Sequence, residues 1–273
     1  MLNCIDWIDR LAKGSWLNTL LTFVAGASMI AAFAPFSLWY LIFPGLLFYI
    51  LPLQSLTIKQ TFYRGLWFNI GFYGAGVSWV HVSIHRFGHA PLFLSVSLTL
   101  IFIVLLSLFA TFSGVLLNRY FSHLSIKYYF LAGFPFCWIL FEWFRSWFFT
   151  GFPWLNLGHS QIDSYLSSAA PLMGSAAVSF LIVLIVGLIA VSIREGIKGA
   201  RFSAIILFII LISISYLQQF EWVKVTDKTL SVSLIQPNIP QQIKWQREQR
   251  GQTLQYFQQL TETLDSQLIV WPE

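Results

Sequence analysis

Charge is what this sequence has least of. Asp, Glu, Lys and Arg make up 10% of its 273 residues, against about 25% in a soluble globular domain. A chain so poor in charge cannot cover a water-facing surface, so most of its surface must face lipid. Cysteine is almost absent too. Cys4 precedes the first apolar run and Cys137 lies inside another, so no structural disulfide is expected, and neither residue has metal-site spacing. There is no Gly-rich phosphate loop, no Gly-x-Ser-x-Gly elbow and no zinc signature. Nothing supports nucleotide use, and no cofactor or metal is expected. No Lys/Arg-rich run points to nucleic acid.

What the chain does have is apolar and aromatic side chains, 57% and 18% of the total, with twelve Trp and ten Tyr. Such rings sit at the headgroup level of a bilayer, where an apolar body and a polar N–H or O–H are both satisfied. A helical span needs about 20 mostly apolar residues. On that basis seven spans are expected, near 17–34, 38–53, 64–84, 91–117, 128–149, 169–193 and 202–217. The second is short and has Pro44 in its middle, so a re-entrant pair in place of two full spans stays open. Ala32-Phe33-Ala34 mimics a signal-peptide cleavage site, but Pro35 follows at once and the apolar run is longer than a signal h-region. An uncleaved anchor is expected.

Loop charge sets the orientation. Arg10 and Lys13 precede the first span; Lys59 and Arg64 flank the second loop; Arg119 and Lys127 lie in the fourth, and Arg194, Lys198 and Arg201 in the sixth. The opposite loops hold only Arg86, with Arg145 near a helix end. The positive-inside rule places the basic segments in the cytoplasm. Seven spans then deliver residue 218 onward to the outer face.

The chain divides at that point into a helical bundle, 1–217, and a tail, 218–273. In the tail Leu230, Val232 and Leu234 alternate with Ser231 and Ser233, which reads as a strand. Residues 245–264 read as an amphipathic helix with Leu254, Phe257, Leu260 and Leu264 on one face. Leu268, Ile269, Val270 and Trp271 form a continuous apolar run, as in a strand buried on both faces. Strand, helix, strand predicts a parallel βαβ unit, the beginning of a larger α/β domain.

Trp271-Pro272-Glu273 puts a carboxylate past the C-terminal end of a parallel strand, where α/β folds place ligands; an ordinary surface Glu fits those three residues too. Glu142 and Arg145 sit three apart near the outer end of the fifth span and can pair across one helix face. They read either as a functional site at membrane depth or as a structural ion pair. The run from Gly151 to Ser160 follows, with Trp154 and His159. It reads as an interfacial turn unless those residues meet a substrate. His81, His85 and His89 recur at helical spacing with no carboxylate nearby, too small a ligand set for a metal.

Several segments, taken in order, resemble the apolipoprotein N-acyltransferase family. They are Ala34-Pro35-Phe36, Gly76-Val77-Ser78-Trp79-Val80 with Ser83-Ile84-His85, and Glu142-Trp143-Phe144-Arg145 leading into Gly151-Phe152-Pro153-Trp154. Ala170-Pro171-Leu172-Met173-Gly174 follows, then Gln236-Pro237-Asn238-Ile239-Pro240-Gln241, Lys244-Trp245 and Trp271-Pro272-Glu273. The resemblance implies a membrane all-α bundle followed by the truncated start of a nitrilase-like αββα domain on the periplasmic side of the bacterial inner membrane. It implies transfer of a fatty acyl chain from a phospholipid donor to the N-terminal Cys of an apolipoprotein acceptor, by a catalytic Glu, Lys and Cys. Glu273 matches the Glu, the general base, and Trp245 matches a Trp the family needs; Arg145, Trp154 and His159 are further substrate-binding candidates. The chain ends before the Lys and Cys positions, so as it stands it is expected to be inactive. Two other classes remain open: a membrane-anchored nitrilase-type amidohydrolase, which has no need of seven spans, and a non-enzymatic polytopic membrane protein, which would line a path through its spans with polar residues.

Overall fold

A computed structural model describes residues 15–224, 226, 228–240 and 247–272. Arg10, Lys13, Cys4, Gln241, Lys244, Trp245 and Glu273 lie outside the described residues. The fold is mostly helical, and its chain separates into two compact units: Met1–His81 with Leu92–Phe220, and Val82–Pro91 with Glu221–Glu273.

In the first unit α1, Trp16–Ser28, starts where the Ser15 hydroxyl accepts from the Asn18 N–H at 3.2 Å. It runs on as a tighter turn, Met29–Ala32. The next helix, α2, is only Ile42–Ile50. Pro44 lies in its first turn rather than mid-span, where its missing N–H has no helical partner to lose. A reciprocal cap opens α3, Ile58–Val77: Gln60 N–H donates to the Thr57 hydroxyl at 3.3 Å and Thr57 N–H to Gln60 Oε1 at 3.0 Å. Helices α1 and α3 meet backbone to backbone. A Cβ on Gly26 would strike the Phe68 carbonyl, and one on Gly71 the Phe23 carbonyl, the small-residue contact that membrane helices use to approach closely.

The predicted span 64–84 is two helices. Trp79 Nε1 donates to the Gly76 carbonyl at 3.1 Å and takes up an acceptor that a continuing helix would use. A separate short helix, α4, follows at Val80–Arg86. His89 lies beyond its end with φ 52, so the three histidines do not share one helix face.

Three helices are long and apolar enough to cross a membrane among the described residues: α5, Leu92–Phe121; α7, Ser175–Glu195; and α8, Ile197–Gln218. Between them lies α6, Phe134–Arg145, entered through a wide turn at Tyr129–Gly133. The other expected spans are shorter or more polar. Trp16–Ala32 and Trp39–Ser55 are apolar but short, and α3 carries Lys59, Gln60, Arg64 and Asn69. The core is built from Met29, Leu46, Tyr49, Phe68, Phe130, Phe134, Ile182 and Val186, all buried. Tyr49 stacks on Phe68 with ring centroids 4.4 Å apart. Cys137 is buried in the same core, a packing thiol rather than an accessible one. Leu98, Ile101, Leu105 and Phe112 of α5, and Ile205, Phe208, Ile209 and Ile212 of α8, point outward.

One end of this unit gathers the basic loops. Arg194 Nη2 donates to Ser55 Oγ at 2.8 Å, Gln54 Nε2 to the Leu124 carbonyl at 3.0 Å and Asn118 Nδ2 to the Leu56 carbonyl at 2.7 Å. Lys127 pairs with Glu195 at 3.6 Å and lies over the Phe202 ring. These contacts tie together, at one end of the unit, the segments that carry Lys59, Arg119, Lys127, Arg194, Lys198 and Arg201.

In the second unit β1, Val232–Leu234, and β2, Leu268–Val270, pair in parallel with Val232 opposite Leu268 and Leu234 opposite Val270. The helix between them, α9, is Arg250–Glu262. Phe257 is its buried anchor; it stacks on Trp271 at 5.2 Å, while Trp271 Nε1 donates to Thr261 Oγ1 at 2.9 Å. The 268–271 run is not buried on both faces. Leu268 and Val270 remain 45% and 41% exposed, because alternation sends them away from the side on which Trp271 meets α9. Leu254 and Leu264 are likewise exposed, so the helix buries a narrower stripe than its pattern suggests.

Candidate functional site

At the end of α6 the chain leaves the helix through an irregular segment, 146–161. Phe149, Thr150 and Leu155 take φ of 49, 75 and 62. Such backbone is unfavourable for side-chain-bearing residues and persists only where its surroundings hold it. Two side chains from the last turn of α6 hold it here.

Arg145 is buried and spends its guanidinium on the loop. Nη1 donates to the Phe152 carbonyl at 2.9 Å and to the Trp154 carbonyl; Nη2 donates to Asn156 Oδ1 at 2.6 Å. Its Cζ lies over the Tyr73 ring, 5.6 Å from the ring centre. Glu142, also buried, accepts through Oε1 from the Leu157 N–H at 2.8 Å and from Trp138 Nε1 at 3.1 Å. The ion pair that their spacing allows, one of the two readings, does not form. Three-residue spacing does put both on one face, but each turns to the loop, where fixed acceptors and a buried N–H demand partners. The Gly158 N–H donates to Ser179 Oγ at 2.8 Å, which ties the loop to α7. Gln161 Nε2 donates to the Trp39 carbonyl at 3.2 Å.

Glu142 stands between two spaces. On one side is a pocket of about 20 Å³ with Asn69, Tyr73, Ser113, Trp138 and Arg145 in its wall, enough room for a water among polar partners. On the other is a cleft of about 300 Å³ lined by Trp143, Asn156, His159, Gly174 and Ser175. A carboxylate and an exposed imidazole on one cleft can accept and return protons, or hold a cationic group. The aromatic rim is Trp154, half-exposed and 5.6 Å from Trp79.

Of the residues read from sequence, Arg145, Trp154 and His159 come together on this loop. Arg145 is its anchor, Trp154 its rim and His159 a cleft-facing side chain on the turn Leu157–Gln161. The positions of Trp245 and Glu273 lie outside the described residues. Tyr73, Trp138 and Ser179 were not singled out from sequence, and no local pattern marks them. Trp79 lies inside a run that carries the resemblance, and Asn156 lies in the Gly151–Ser160 run read as an interfacial turn.

The model of the apolipoprotein N-acyltransferase N-terminal domain matches residues 25–188, the stretch that holds both α6 and the loop. The apolipoprotein N-acyltransferase of Coxiella burnetii is 36% identical over 261 residues, 94% of this chain and 53% of its own length. That of Shewanella oneidensis is 35% identical over 277 residues, covering 100% of this chain and 52% of its own. The Pseudomonas syringae pv. tomato protein is 33% identical across 98% of this chain and 53% of its own. The chain spans about half the length of these curated relatives. With the family model covering more than half of it, the chain belongs to the apolipoprotein N-acyltransferase family.

Proposed function

We propose that this chain is the membrane bundle, with the start of the nitrilase-like domain, of an apolipoprotein N-acyltransferase of the bacterial inner membrane. It serves to move a fatty acyl chain from a phospholipid to the N-terminal diacylglyceryl-cysteine of an apolipoprotein. The observation that carries this reading is the match to an apolipoprotein N-acyltransferase along the full chain, bundle and strand–helix–strand tail alike. The bundle crosses the membrane seven times, with its N-terminus in the cytoplasm and residues 218–273 in the periplasm. The gathering of Lys59, Arg119, Lys127, Lys198 and Arg201 at one end supports that orientation.

Acyl transfer from an ester needs a nucleophile, a base within reach and support for the oxyanion. We assign the base to Glu273 of a Glu-Lys-Cys set and a substrate contact to Trp245. The acceptor amine attacks only when neutral, and a base serves that step as well. The acyl donor lies in the bilayer, and we assign to the loop held by Arg145, with Trp154 at its rim and His159 on its cleft, the role of meeting substrate at headgroup level.

The test uses the protein produced from its native gene, incubated with phospholipid and a diacylated lipopeptide and read by mass spectrometry. A gain of one acyl group is expected from a product that carries the Lys and Cys of that set. No gain from the intact protein would sink acyl transfer, and a gain that survives Glu273→Gln would sink Glu273 as base.

A further inference from the structure

We propose that the first turns of α8 form a seat for an anionic phospholipid, its head group on Lys198 and Arg201 and an acyl chain along Ile205, Phe208 and Ile212. Lys198 and Arg201 are exposed, and neither makes an ion pair among the described residues. The acid that neighbours them in sequence, Glu195, is already held by Lys127. Local charge at this end is therefore strongly positive.

The position of these cations on the helix adds to the case. The first turn of α8 has no acidic residue, and its N-cap, Gly196, has no side chain to offer. A helix start favours negative charge. Lys198 in that turn opposes the preference, with Arg201 just past it, and a phosphate between the two answers both the cations and the helix end. Neither feature would define a site without the surface that continues from it.

That surface is apolar and points outward. Only 11% of the most hydropathic stretch of α8 is buried. Ile205, Phe208 and Ile212 are 63%, 63% and 54% exposed. With Arg201 they follow at steps of four, three and four, which places them on one helical stripe. The stripe runs down from the cationic turn, as the chains of a phospholipid run down from its phosphate. A soluble anion would use the cations alone; a lipid uses both. The seat is on the helix surface away from the α6 loop, so it does not depend on the acyl-transfer reading.

The experiment is native mass spectrometry of the 273-residue chain released from bilayer discs with equal mole fractions of phosphatidylglycerol and phosphatidylcholine. Wild type is expected to retain phosphatidylglycerol over phosphatidylcholine by about thirtyfold, the preference expected when two basic residues near a bilayer surface each favour an anionic lipid. The double variant Lys198→Gln, Arg201→Gln should bring the ratio close to parity, and Lys198→Arg with Arg201→Lys should keep it. Phe208→Ala should lower retention of both lipids and leave the ratio alone. Excess glycerol phosphate should displace nothing. Parity in wild type, an unchanged ratio in the double Gln variant, unchanged retention in Phe208→Ala, or displacement by glycerol phosphate would each overturn the seat as described.

Discussion

Arg145 Nη2 donates to Asn156 Oδ1 at 2.6 Å, and this bond joins the last turn of α6 to the far side of a loop whose backbone is strained at Phe149, Thr150 and Leu155. The same guanidinium holds the carbonyls of Phe152 and Trp154. One planar fork thus fixes three points of the loop. An ammonium has neither the fork nor the reach to replace it.

Arg145→Lys is therefore expected to loosen the loop while the bundle stays folded. Bonds from a charged donor contribute about 1.5–3 kcal/mol each, and the variant forfeits at least one of three. Hydrogen exchange should rise across 146–157 and Trp154 should become more accessible to a collisional quencher. Exchange unchanged from wild type would show that the loop is held by other contacts.

Glu142 can be tested for charge and for bonding separately. Glu142→Gln keeps an oxygen to accept from the Leu157 N–H and Trp138 Nε1. It should melt close to wild type in detergent. Glu142→Leu leaves that buried N–H unsatisfied and should lose about 1–3 kcal/mol. A Gln variant as unstable as the Leu variant would mean that the charge itself holds the loop. A stable Gln variant with no acyl transfer in the intact protein would move Glu142 from anchor to substrate contact.

The α1–α3 contact makes a sharper steric prediction. Gly26→Ala and Gly71→Ala each place a methyl against a backbone carbonyl of the other helix, and overpacking of this kind costs about 1–3 kcal/mol. Gly74 has nothing within 4 Å of where its Cβ would be, so Gly74→Ala should be neutral or stabilising by up to about 1 kcal/mol. The thermal midpoints of Gly26→Ala and Gly71→Ala should both fall below that of Gly74→Ala. Equal midpoints for Gly71→Ala and Gly74→Ala would refute the close approach.

The proposed orientation predicts labelling. With both native cysteines replaced, single Cys variants at Gln60 and Ser122 should resist a membrane-impermeant thiol reagent in intact, outer-permeabilised cells, and a variant at Thr229 should react. The reverse pattern would invert the topology.

Much of this protein follows from its sequence alone. Scarce charge and long apolar runs require a membrane fold, because no solvent-facing surface can be made from them. The parallel strand–helix–strand tail is legible as well, since period-two alternation and a continuous apolar run are local patterns. The ends of elements are less so. The break at Ser78-Trp79 depends on an indole reaching back to Gly76, and Pro44 changes meaning once its helix is seen to begin at Ile42.

The site divides the same way. Helical spacing is enough to put Glu142 and Arg145 on one face. Only the tertiary structure sets them to hold a loop instead of each other, and to stand with Tyr73, Asn156 and Ser179. Those partners lie between 11 and 72 residues from Arg145 in the chain, and nothing local links them. They meet because buried polar groups in a packed, water-poor interior must find one another, and which ones can is settled by where the helices pack.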